Sequence, residues 1–173
     1  MNILLYCPFK FNINSSKNNM LGGIETLNIG LSQILSNKKF NIYLASYCSK
    51  TISKNNITNI PIQILLKNSH KFNFDKIISS NDPVIFNYFK NSEKYLWIHN
   101  KLQIEKSIRK GKFFSIIKNK ITSIFVSKYL ENNTTRIYNF KKRIIIPNFL
   151  DSSFENITIN KIRKPYFVWS VQR

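Results

Sequence analysis

The sequence predicts an α/β fold, a Rossmann-like, mostly parallel sheet with helices on both faces. Three observations carry that expectation. Short β-rich apolar runs alternate with helical segments along the chain, and alternating strand and helix means parallel strands joined by crossover helices. The first run, Ile3 to Cys7, is apolar throughout, as a strand buried on both faces is. The 173 residues suffice for one domain with a real core and are too few for two domains of this kind.

Taken in order, Ile3 to Cys7 is the first strand, and the polar stretch from Pro8 to Met20 reads as a loop. Ile24 to Ser36 is a helix, because Ile24, Leu27, Leu31, Ile34 and Leu35 form one apolar stripe. Strands are expected at Asn41 to Ala45, at Ile60 to Leu66 and at Lys76 to Ser79, with Pro61 marking a strand start or an edge. Asp82-Pro83 opens a helix, Asp being a good N-cap and Pro a good first residue. Lys94 to Ile98 is a strand that ends at His99-Asn100. A basic amphipathic stretch, Leu102 to Lys120, contains a helix broken or bent near Gly111. Ser123 to Val126 is a strand, Ser127 caps a helix running towards Tyr138, and Arg143 to Ile146 is a strand stopped by Pro147-Asn148. Residues 149–165 read as a linker, and Tyr166 to Val171 as a further strand.

Composition narrows the functional classes. No apolar run approaches the ~20 residues of a membrane span, and the N-terminus lacks a charged region and cleavage site. The two cysteines, Cys7 and Cys48, share no metal or redox spacing, which points to reduced thiols in a cytoplasmic protein. No metal-ligand cluster is discernible. The net charge of +19 admits three explanations: nucleic acid, an anionic membrane surface, or a Lys-, Asn- and Ile-rich composition. Lys far outnumbers Arg, whereas bidentate phosphate recognition favours Arg. No nucleic-acid-binding motif is present, so a nucleic-acid partner is disfavoured. Lys101, Lys106, Arg109, Lys110, Lys112, Lys118 and Lys120 alternate with Leu102, Ile104, Ile108, Phe113, Phe114, Ile116 and Ile117. That segment suits either an anionic membrane surface or a core-packing helix with a solvated basic face.

One motif bears on chemistry. Gly22-Gly23-Ile24-Glu25 follows the first strand and its loop and opens the first helix. Free N–H groups at a helix start face an anion by geometry, and two glycines let a ligand approach closely. The plainer reading is a helix entry, with Glu25 favourable in its first turn. The order of features resembles the family-4 retaining glycosyltransferases of the GT-B fold. The matching pieces are Gly22 to Glu25, Trp97-Ile98-His99-Asn100, Phe125-Val126-Ser127-Lys128-Tyr129, Ile146-Pro147-Asn148-Phe149-Leu150-Asp151, and Phe167-Val168-Trp169-Ser170-Val171-Gln172-Arg173. Phe149 and Ser170 depart from that pattern, each standing where the family tends to have glycine.

The resemblance implies an N-terminal, acceptor-side domain over residues 1–148 and the first strand of a nucleotide-sugar domain at 166–173. It implies a transferase taking a sugar from a nucleotide-sugar co-substrate to a glycan, lipid-linked or polysaccharide acceptor, with retention and without metal. Such an enzyme would be cytoplasmic or peripheral on the inner membrane face, and residues 1–173 alone would be inactive. In this reading His99 is the catalytic residue, and Gly22, Gly23, Glu25, Ser127, Asn148 and Arg173 contact substrate or nucleotide. Each has a structural alternative: His99 as a strand-end residue, Ser127 as an N-cap, Asn148 as a turn former. The competing function is a non-catalytic module that binds an anion or a membrane.

Overall fold

In the computed structural model, which describes residues 1–14 and 21–148, the opening apolar run forms β1 (Asn2–Tyr6). Alternate residues feed two cores: Ile3, Leu5 and Cys7 one, Leu4 and Tyr6 the other. The other strands are β2 (Asn41–Ser46), β3 (Ile52–Lys54), β4 (Ile57–Pro61), β5 (Lys76–Ser80), β6 (Glu93–Ile98), β7 (Thr122–Phe125) and β8 (Lys142–Ile145). They form one sheet in the order β3-β4-β2-β1-β5-β6-β7-β8. All pairings are parallel except β3 with β4. Without β3 this is the doubly wound, Rossmann-like order, and the chain reverses its direction of travel between β1 and β5. The α/β expectation is met.

The helices are α1 (Gly23–Asn37), α2 (Ile62–Lys67), α3 (Lys101–Arg109), α4 (Phe113–Lys118) and α5 (Lys128–Asn133). α1 covers one face, packing Ile24, Ile29, Leu31 and Leu35 with Ile3, Leu5, Ile42 and Leu44. The other face is covered by Ile62 and Leu65 of α2, Ile104 of α3, Ile116 of α4 and Leu130 of α5. Leu4, Ile77, Phe86, Leu96, Ile98 and Phe125 are fully buried between these layers. Each such side chain contributes roughly 1.5–3 kcal/mol.

Three elements differ from the sequence expectation. The run from Ile60 to Leu66 is not one strand: pairing stops at Pro61, opposite Ser46, and α2 begins at Ile62. Ile62 and Leu65 point inward at helical spacing, and a short apolar run does not by itself distinguish strand from helix. β3 is an additional strand. It joins β4 through Asn55-Asn56, both left-handed (φ 49° and 58°), the conformation of a two-residue hairpin turn whose twist suits the flanking strands. The helix opened by Ser127 ends at Asn133, and Thr135 caps a separate 3-10 turn, Arg136–Tyr138.

Other local expectations hold. Asp82 caps the 3-10 turn Pro83–Asn87, its carboxylate accepting from the Val84 amide at 3.1 Å. Gly111 separates α3 from α4 with φ 69°. The loop after β1 carries Phe11 and Ile13 into the core, where Asn59 Oδ1 accepts from the Ile13 amide at 3.0 Å. Arg143 closes the far end of the sheet. Its guanidinium lies over Phe125 and Phe140 and donates to Glu131 and to the Thr134 and Thr135 carbonyls. The Tyr166 to Val171 strand and the 149–165 linker lie outside the described residues.

Candidate functional site

In a doubly wound sheet, ligands sit beyond the carboxyl ends of the strands, where the strand order reverses. Here that place lies between β1 and β5, and a cleft of about 250 Å³ occupies it. Pro8 and Phe9 follow β1, Tyr47 follows β2, and Ser80, Asn81 and Asp82 end β5. Lys106, Lys110 and Lys112, from α3 and the bend after it, complete the wall. A larger cleft of about 590 Å³, with Lys90, Lys94, Lys118, Lys120 and Lys141, lies at the strands' opposite ends. Size favours that groove, but topology favours the smaller cleft, which Ser80, Asn81 and Asp82 line.

Asn81 is the hub. It is buried and left-handed (φ 59°), a conformation Asn tolerates better than most residues. Its backbone amide donates to the Trp97 carbonyl at 2.9 Å, and its Oδ1 accepts from the His99 amide at 2.9 Å. It thus fastens the end of β5 to the end of β6. Its Nδ2 is buried without a hydrogen-bond partner. The His99 ring packs 4.5 Å from the Trp97 ring, centroid to centroid, and His99 Nε2 and Trp97 Nε1 are also buried without partners. Buried polar groups are rarely unpaired, so three such atoms around one turn are a local signature. Burial pushes the His99 imidazole down from 6.5 to about 4. At neutral pH it is uncharged, one ring nitrogen a donor and the other an acceptor.

α1 is tied to the same edge. Asn28 Nδ2 donates to Ser80 Oγ at 2.9 Å and to the Ile24 carbonyl at 2.8 Å, while its Oδ1 is buried without a partner. The inward face of α1 is therefore partly polar: Asn28, Ile29 and Ser32 are its buried residues, and Ile34 of the expected apolar stripe is 45% exposed. Gly22 is the N-cap, with φ −70° and ψ 163°, and no side chain caps the helix. Neither Gly22 nor Gly23 has positive φ, so backbone conformation does not demand glycine at either position. Space distinguishes them. A Cβ on Gly22 would lie 2.4 Å from Glu25 Oε2, whereas one on Gly23 would meet nothing within 4 Å. The Glu25 carboxylate thus folds back over the helix start. Cys7, next to it, is an inert thiol, pushed up by burial and then by the charge of Glu25.

The remaining expected residues fall as follows. Ser127 follows β7 and caps α5, its Oγ accepting from the Leu130 amide at 3.1 Å. Lys128 pairs with Glu131 at 3.1 Å. Asn148 is exposed beyond the end of β8. Arg173 lies outside the described residues. Hydrogen bonds therefore link α1 to the end of β5 through Asn28 and Ser80, and β5 to His99 through Asn81, along one edge; Gly22, Gly23, Glu25 and His99 are not among the residues that line the cleft. Ser127 and Asn148 follow strands farther along that edge.

Sequence reasoning missed Asn81 and Asn28. Asn81 had a legible signal: an Asn closing a strand immediately before Asp-Pro is suited to a left-handed turn. Asp82 was rightly read as a cap, but its Oδ2 also accepts from Lys112 Nζ at 2.7 Å. No family model and no curated protein matches the sequence.

Proposed function

We propose that this chain is the acceptor-side domain of a GT-B-type glycosyltransferase. The enzyme would move a sugar from a nucleotide-sugar donor to a glycan, lipid-linked or polysaccharide acceptor, with retention. One observation carries the reading: along the carboxyl edge of the sheet, hydrogen bonds tie α1 to the end of β5 through Asn28 and Ser80, and β5 to His99 through Asn81.

The physical chemistry of that edge suits the reaction. Glycosyl transfer develops positive charge on the sugar ring, and a neutral imidazole avoids the repulsion an imidazolium would create. His99 would hold a hydroxyl of the transferred sugar through Nε2, which has no protein partner. Negative charge develops on the leaving diphosphate. The uncapped amides at Gly22 and Gly23 would face it, with Glu25 swinging aside, and Arg173 would add a fixed positive charge. Ser127 and Asn148 would contribute polar contacts farther along the edge. The exposed apolar residues Leu102, Phe114 and Ile117, set among lysines, support a peripheral position on an anionic membrane. Among the described residues no helix is long and apolar enough to cross one.

The test takes the product of the complete open reading frame and incubates it with UDP-, GDP- and dTDP-linked sugars, measuring nucleoside diphosphate release. One donor should be consumed, and His99→Ala should lower the rate by about 10²-fold or more with the circular dichroism spectrum unchanged. Release from no donor would leave the non-catalytic anion-binding module as the function; undiminished turnover by the variant would remove His99 from the catalytic site.

A further inference from the structure

The three lysines of the switch-point cleft are arranged at an electrostatic cost. Lys106 and Lys110 stand four residues apart on successive turns, the Lys110 amide bonding the Lys106 carbonyl at 3.1 Å. Like charges at that spacing destabilise a helix. Among the described residues neither forms an ion pair: Glu105, nearby on the same helix, pairs with Lys101 at 3.4 Å. Asp82 is the cleft's one carboxylate, and Lys112 takes it at 2.7 Å. The wall therefore presents two uncompensated positive charges and a third lysine held in place. The second, independent observation is Asn81, which lines this cleft, is only 8% exposed, and has an unpartnered Nδ2 donor.

We infer that the cleft binds a phosphate or diphosphate group, with Lys106 and Lys110 supplying charge and Asn81 Nδ2 a directed hydrogen bond. The volume of about 250 Å³ equals roughly eight water volumes. It admits a diphosphate, or a phosphate with part of a sugar ring. Ammonium groups act as point charges on such a group without the planar fork of an arginine. The group binds beside Asn81, whose Oδ1 holds the His99 backbone amide. Assigning it to the acceptor rests on the transferase reading above; the anion site itself does not. The acceptor is then a phosphorylated molecule, either a soluble glycosyl phosphate or a lipid-linked diphosphate.

The test is a heteronuclear NMR titration of the chain with inorganic pyrophosphate. Amide shifts should move most at Asn81, Asp82, Lys110 and Lys112. The double variant Lys106→Ala/Lys110→Ala, at two exposed positions, should weaken binding at least about tenfold, the loss expected from removing charge-assisted hydrogen bonds. Lys94→Ala/Lys141→Ala, in the opposite groove, should leave affinity unchanged. Shifts centred on that opposite groove, equal affinity in the cleft variant, or no saturable shift at 10 mM pyrophosphate (about −2.7 kcal/mol) would each overturn the inference. Two further ligands separate the sources. Tighter binding of glucose 1-phosphate than of farnesyl diphosphate assigns a soluble acceptor, and the reverse a lipid-linked one. Donor turnover by the complete enzyme without pyrophosphate binding would retain the transferase and remove this site. Pyrophosphate binding without turnover would do the opposite.

Discussion

Lowering the pH from 7 to 5 should destabilise the fold through His99. Burial holds this imidazole at about 4, against an ordinary value of 6.5. At pH 5 the unfolded chain binds a proton there that the folded chain mostly refuses. Stability rises with pH wherever the unfolded state holds more protons, so it falls as the pH drops through 6.5 and levels off below the folded value. The difference in titration amounts to about 2 kcal/mol at pH 5 and about 3 kcal/mol below pH 4. Glu93 and Glu131 behave differently. Cationic partners hold both carboxylates below their ordinary value of 4.5. Their contribution is lost only as the pH falls below that value, outside the interval from 6.5 to 5. Urea unfolding followed by circular dichroism at pH 7 and pH 5 measures the effect, with His99→Gln as reference. Wild type should lose about 2 kcal/mol more than the variant between the two pH values. Equal losses, or an NMR titration placing the His99 ring near 6.5, would refute both the neutral imidazole and the mechanism that uses it.

Two other predictions address the helix start and the basic segment. Gly23→Ala puts a methyl group into open space at the first residue of α1. It should stabilise the protein by about 0.4–1 kcal/mol in urea unfolding while lowering donor turnover by the complete enzyme, because the methyl occupies the ligand's approach; unchanged turnover removes Gly23 from the site. Phe114→Ser/Ile117→Ser removes two exposed apolar residues of α4. Flotation with phosphatidylserine vesicles at low salt should fall at least about fivefold, each lost side chain being worth a sizeable part of its burial energy. Failure of wild type to float eliminates membrane docking.

The α/β class was legible because its signals are local and redundant. Ile3 to Cys7 announces a strand buried on both faces, Asp82-Pro83 a capped turn, and Gly111 a break. Pro61 was ambiguous for a physical reason: the proline that ends a parallel strand also opens α2, and the apolar residues after it fit either period. The Asn55-Asn56 turn could have been read as a hairpin, since both residues tolerate positive φ. The site was legible only in part. His99 and Gly22-Gly23 stand out by residue type at strand and helix ends. Asn28 and Asn81 act through contacts that exist only once β5 lies beside β1 and β6. Asn28 also occupies a position on α1 that an apolar stripe passes over. The cleft lysines, read along the chain as one basic face, are divided by the bend at Gly111, and only the fold shows which of them meet Asn81.

The turns of this molecule carry strain that the whole chain's four glycines do little to relieve. Among the described residues Lys39, Asn55, Asn56, Asn81, Lys120 and Asn139 hold positive φ with a full side chain, at about 1–2 kcal/mol for lysine and less for Asn. Five of the six are exposed, so glycine substitutions there offer a route to a more heat-resistant protein without disturbing the core. Asn81 is the exception. It is the buried member of the set, and its side chain holds the His99 amide. Glycine would ease its backbone and release the histidine, so at that one turn greater stability and a correctly placed His99 are in opposition.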